Sequence, residues 1–215
     1  MGRKRLITVL TVPLVLALGL ASFYWGYDKS WREELNQPHT FSEIHRTIGI
    51  LVIADRSFRE QFGPRPQDWA QEIVNGASKI FEQWIGLRLI ICGYQEWPYS
   101  TLKDLGQLET VPKGICDVKL GLTSERMYED GEQVSGKSAR DAVILAIRGL
   151  GPLHFLFAHE FGHLFGADDK NESGLLMYHT DSEGRTDKLD DETWHILVRN
   201  KFRDFDKNRI FRKRS

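Results

Sequence analysis

Residues 152–165, PLHFLFAHEFGHLF, constrain this chain more than any other stretch. Leu153, Phe155, Leu156, Phe157, Phe161, Leu164 and Phe165 lie almost all the way round a helix, so that helix belongs in the middle of a domain. The same stretch puts two histidines and a glutamate into this apolar surround. His159 and His163 stand one turn apart and share a face, so their imidazoles converge. Left without partners, such buried polar groups would each cost about 1–3 kcal/mol. A cation held between the two rings removes that cost.

Glu160 is adjacent to His159 but rotated off the line of the two rings. It is therefore placed to accept a proton from an attacking water rather than to ligate. A third protein ligand has to come from beyond the helix. Were the helix to continue, residue 169 would lie about 15 Å along its axis from His159, too far to share an ion. Gly166 resolves this, because glycine adopts the left-handed conformation that ends a helix and turns the chain back. Asp168 and Asp169 then both become candidates for the third place. Three protein ligands with one open position is the catalytic rather than the closed structural arrangement.

The stretch HEFGHLFGADD resembles the metzincin zinc-peptidase signature, H-E-x-x-H-x-x-G-x-x-H/D. In that resemblance His159, His163 and Asp169 take the three places on one catalytic zinc ion. Glu160 takes the general base and Gly166 the turning glycine. Metzincins also carry a methionine in a tight turn beneath the metal. SGLLMYH puts Met177 there, and LLMY is similar to the matrix-metalloproteinase version of that turn. Tyr178 follows as a supporting residue that packs beside the turn, lines the pocket or stabilises an oxyanion, and His179 has the same three roles open to it. Aspartate as third ligand resembles the snapalysin-type branch rather than the commoner three-histidine set. The resemblance implies a peptide or protein substrate, held by strand addition along an edge strand near residues 133–138. Its element order covers roughly residues 45–206, although only the motif and the methionine are individually specific.

The rest of the chain fits an α/β (α+β) domain on a mixed twisted sheet. TIGILVIADRSF (47–58) contains a continuous apolar run, as a strand buried on both faces would. Trp69, Ile73, Ala77, Ile80 and Trp84 recur at helical spacing between Pro66 and Gly86, which predicts a long backing helix over 66–85. LRLIICGY (87–94) is a second strand, and the strand–helix–strand order implies a parallel pair. Residues 97–114 read as loop with a short helical turn, 116–123 and 142–147 as strands, and 124–141 as polar with room for one edge strand. A C-terminal helix is expected over 190–205, where Trp194, Leu197, Val198, Phe202 and Phe205 form a stripe and Asp190, Asp191 and Glu192 suit an N-terminus. His154 and His195 are expected to pack on their helices.

Composition narrows the function classes. With 29 basic and 30 acidic residues the chain lacks the charge excess of a nucleic-acid binder. Arg3, Lys4 and Arg5 precede an uncharged stretch, residues 6–25, long enough as a helix to cross a bilayer. The expected organisation is an N-terminal signal anchor or signal peptide (1–27), a connector (28–46), a catalytic domain (47–206) and a basic tail (207–215). Everything after the first segment is expected outside the cytoplasm, tethered to the membrane or secreted. Cys92 and Cys116, the only cysteines, could pair there or stand as two buried thiols. Two other functions fit the same residues. One is a thermolysin-like peptidase using Glu183 as third ligand, although HTDSEGRTD is loop sequence and leaves Gly166 and Met177 without a role. The other is a non-catalytic, membrane-tethered metal-binding domain, which would have no use for Glu160.

Overall fold

The computed structural model describes residues 43–63, 65–99, 101–148, 152–179 and 184–205. These residues all lie within one compact unit, Thr40–Ser215. The N-terminal segment 6–25, most of the connector, Glu183 and the basic tail lie outside them. Among the described residues no helix is long and apolar enough to cross a membrane.

The apolar run after Arg46 forms strand β1 (Arg46–Ala54), buried from Ile48 onward. Alternate residues face two different cores. Ile48, Ile50 and Val52 enter the larger core, whereas Leu51 and Ile53 enter a smaller one with Trp97, Leu102 and Leu108. Burial on both faces is why the run shows no polar alternation. The apolar run ends with β1 at Ala54. Asp55 accepts from the Phe58 backbone N–H and caps a short helix, α1 (Arg56–Phe62).

Helix α2 (Pro66–Ile85) begins on its proline and ends at Gly86, whose φ of 65° is left-handed. Its buried stripe of Ile73, Val74, Ala77, Ile80 and Phe81 packs on the sheet. Strand β2 (Leu87–Glu96) returns parallel to β1. A short helix, α3 (Leu105–Glu109), interrupts the next loop, and β3 (Val118–Thr123) pairs parallel with β1 on its other side. The polar stretch after it holds more structure than one edge strand. β4 (Met127–Glu129) and β5 (Glu132–Val134) form a separate antiparallel ribbon, and β6 (Gly136–Ala139) is the edge strand proper. β7 (Ala142–Ala146) completes a five-stranded sheet of order β2-β1-β3-β7-β6, parallel except for β6. The fold is therefore a mixed α/β domain on a mostly parallel sheet.

Cys92 and Cys116 form a disulfide with a Cα–Cα distance of 5.9 Å. Cys92 is the extra residue where the β1–β2 register shifts, between Ile50 and Leu51 of the partner strand. The bridge lies against Gly49, where an added Cβ would meet the Cys92 Sγ at 3.1 Å. It therefore ties β2, at the other edge of the sheet, to the entrance of β3 across a point of β1 that carries no side chain. Removing it by Cys92→Ser with Cys116→Ser is expected to lower stability by about 3 kcal/mol, from the loop it closes. The check is the urea midpoint of the oxidised parent against the double variant.

Candidate metal centre

Helix α4 (Leu153–Leu164) carries the histidine motif in the centre of the domain. One of its faces is an aromatic ladder: Phe157, Phe161 and Phe165 meet edge-on, and Phe161 also meets Phe81 of α2 at 5.3 Å. These rings fix the roll of the helix about its axis. His159 and His163 are thereby aimed at the cleft on the other side.

At its C-terminus the helix stops at Phe165, and Gly166 takes a φ of 88°. The last carbonyls of α4 do not go unmet. Asn200 donates to the Phe165 carbonyl at 2.7 Å, and the Arg203 guanidinium donates to that of Leu164. Both donors follow from the C-terminal helix α5 (Asp191–Asn200), which Asp190 caps. The helix expected over 190–205 thus ends earlier, at Asn200. Phe202 is exposed, while Asn200, Arg203 and Phe205 turn inward against α4.

After Gly166 the chain folds back on the helix. Lys170 donates its N–H to the Met177 carbonyl at 2.7 Å and accepts from the His179 N–H at 3.0 Å. This closure brings Asp169 to the two rings. Asp169 Oδ1 lies 3.3 Å from His159 Nε2 and 3.4 Å from His163 Nε2, and the two Nε2 atoms are 3.2 Å apart. The three atoms form a nearly equilateral triangle. Tetrahedral zinc with bonds of about 2.0–2.1 Å separates its ligand atoms by about 3.3–3.4 Å, so the triangle fits that ion. Among the described residues, this is the cluster of acidic, histidine or cysteine side chains that could hold a metal. Asp168 is not part of it, and Glu183 lies outside the described residues.

The far nitrogens support the same geometry. His159 Nδ1 is 3.1 Å from the Leu176 carbonyl, and His163 Nδ1 is 2.7 Å from that of Ala167. A carbonyl oxygen only accepts, so each Nδ1 carries the proton and each Nε2 turns a lone pair toward the triangle. The Asp169 side chain is 55% exposed, and a solvated carboxyl is ionised at neutral pH, as a ligand must be.

Glu160 points elsewhere, toward strand β6. It is only 7 % exposed, and burial pushes its carboxyl above the ordinary range. Met177 sits under the helix, buried, with its sulfur 2.8 Å from where a Cβ on Gly162 would stand. Tyr178 packs against Gly184 and its own neighbour His179, and its carbonyl accepts from Arg185 Nε at 2.9 Å. A cleft of about 1690 Å³ joins the triangle and Glu160 to β6 on one bank and α5 on the other. His179 and His195 line it, whereas His154 packs against Gly76 of α2.

Sequence reasoning missed Gly136, Ser138 and Arg185, all lining this cleft. They stand in polar segments whose spacing carries no signal of what they approach. The carbonyls of Ala167 and Leu176 have no sequence signature at all.

The fold is similar to that of archaemetzincin from Methanopyrus kandleri. The TM-score is 0.57 at 21% identity, over 73% of this chain and 97% of that one. It is also similar to a chain in a chaperone–substrate complex, with a TM-score of 0.51 at 15% identity, over 72% of this chain and 33% of that one. No protein-family model matches the sequence, and no curated protein matches it. At these identities the likeness concerns the fold.

Proposed function

We propose that the chain is a zinc-dependent endopeptidase of the metzincin type. The observation that carries this reading is the triangle of His159 Nε2, His163 Nε2 and Asp169 Oδ1, with an unligated, buried glutamate next to it. These three residues would hold the ion and leave a position open. When bound, zinc supplies Lewis acidity to the scissile carbonyl and makes water more acidic. Glu160 takes the proton of the attacking water and delivers it to the leaving amine. Burial raises its proton affinity, which suits the first half of that task, and an amine is more basic still, so the proton passes on to it. Strand β6 pairs only with β7 among the described strands, so its other edge is open to an extended peptide. The name of the archaemetzincin neighbour agrees with this assignment.

The same proposal includes an address outside the cytoplasm. It is supported by the uncharged segment 6–25 behind Arg3, Lys4 and Arg5, and by the Cys92–Cys116 bond, which suits an oxidising compartment.

The test is zinc content together with cleavage of casein and of internally quenched peptides, for the parent and Glu160→Ala. Both proteins are expected to carry about one zinc per chain. Cleavage by the variant is expected to fall by about 1,000-fold or more. Zinc bound by a parent with no Glu160-dependent cleavage would leave only the non-catalytic tethered domain.

A further inference from the structure

We propose that Gly136 and Ser138 of strand β6 are positioning residues that seat the Glu160 carboxylate beside the three converging ligand atoms. The inference rests on the peptidase reading, and adds to it the part of the sheet that fixes the base.

The two residues are two apart on a strand, so they present to the same face. That face looks onto α4. A Cβ on Gly136 would fall 2.4 Å from Glu160 Oε1 and 2.6 Å from both its Cδ and Cγ. The carboxylate thus occupies the place where any other residue would put its side chain. Gly136 is not among the glycines with positive φ, so its backbone is one that any L-residue adopts. Glycine is required here by the neighbour and not by the turn of the chain.

Ser138 supplies the second element: it lines the same cleft, and its hydroxyl acts on the Glu160 carboxylate against the effect of burial. With Gly136 against its Cγ, Cδ and Oε1, the carboxylate has its plane restricted. General-base catalysis needs that plane set to within a fraction of an ångström of the attacking water. The arrangement also puts the base against the strand that the proposed substrate pairs with. Peptide register and proton acceptor are then referenced to the same four residues.

The experiment uses the full-length chain and the variants Gly136→Ala, Ser138→Ala and Ser138→Thr, with Gly136→Ala also made on a Glu160→Ala background. Zinc per chain, KM and kcat on a quenched peptide, and the melting temperature of chelated protein are measured. Gly136→Ala is expected to keep its zinc and its KM, and to lose about 100-fold in kcat. Ser138→Ala is expected to lose about 10-fold in kcat, with most of it restored in Ser138→Thr. In chelated protein Gly136→Ala is expected to lower the melting temperature by about 4 °C when Glu160 is present, and not when Glu160 is alanine. Unchanged kcat in both Gly136→Ala and Ser138→Ala overturns the proposal. So does an equal melting-temperature loss on the two backgrounds. A parent with no hydrolysis defeats the peptidase reading instead, and the melting cycle then decides the seating by itself.

Discussion

Replacing Asp169 with alanine is expected to weaken zinc binding by about 1,000-fold, while Glu183→Ala leaves it within about twofold. The size follows from what is removed. Outer partners of a metal ligand are typically worth about 10–100-fold in affinity, and a ligand that carries the only negative charge of the set is worth more. Nothing else in the triangle replaces it, because the other two corners are neutral imidazoles whose protons are committed to the carbonyls of Leu176 and Ala167. The fold itself should tolerate the change, since the Asp169 side chain is 55% exposed and its backbone is fixed through Lys170. Competition against a chromophoric chelator measures the affinity, and Asp168→Ala serves as the neighbour control. Loss of zinc with Glu183→Ala alone would move the third place to Glu183 and remove the metzincin assignment.

The second large effect concerns stability. Asp55→Ala is expected to cost about 4 kcal/mol, read as a shift in the urea midpoint at unchanged slope. Asp55 is fully buried, and its carboxylate accepts from four groups. Oδ1 takes the Phe58 N–H at 2.9 Å and the Ser57 hydroxyl at 2.8 Å, while Oδ2 takes the Leu102 N–H at 2.9 Å and the Thr123 hydroxyl at 2.6 Å. One side chain thus ties the end of β1, the start of α1, the end of β3 and the loop at Leu102. Alanine would strand four donors in the interior, and hydrogen bonds to a charged group are individually worth about 1.5–3 kcal/mol. Asp55→Asn is the informative companion. It keeps the shape but turns one acceptor into a donor facing a donor, so it should recover only about half the loss.

The elements most legible in the sequence are those whose ends carry their own chemistry. Helix α2 runs from Pro66 to the residue before Gly86, because a proline fits a helix start and a glycine its stop. The motif helix and its turn at Gly166 were legible because ligand spacing and glycine conformation act locally. What was missed divides by cause. The capping role of Asp55 and the Asp130–Gly131 hairpin tip (φ of 50° and 87°) both had local signals, one just past an apolar run and one inside a segment read as polar with room for one edge strand. Gly136 and Ser138 had none, since what matters is the approach of a side chain from another element. The early end of α5 belongs to the same class. Asn200, its last residue, and Arg203 beyond it meet carbonyls at the end of α4, a demand set in three dimensions and not by periodicity.

Solvent-facing loops ordinarily gain and lose residues freely. The segment between the two carbonyls at Ala167 and Leu176 is an exception, because its ends lock the tautomers of both rings and Asp169 stands between them. One inserted or deleted residue there would misplace acid and imidazoles together. Descendants of this chain should drift in length around the Asp130–Gly131 tip and keep the residue count from His163 to Leu176 unchanged.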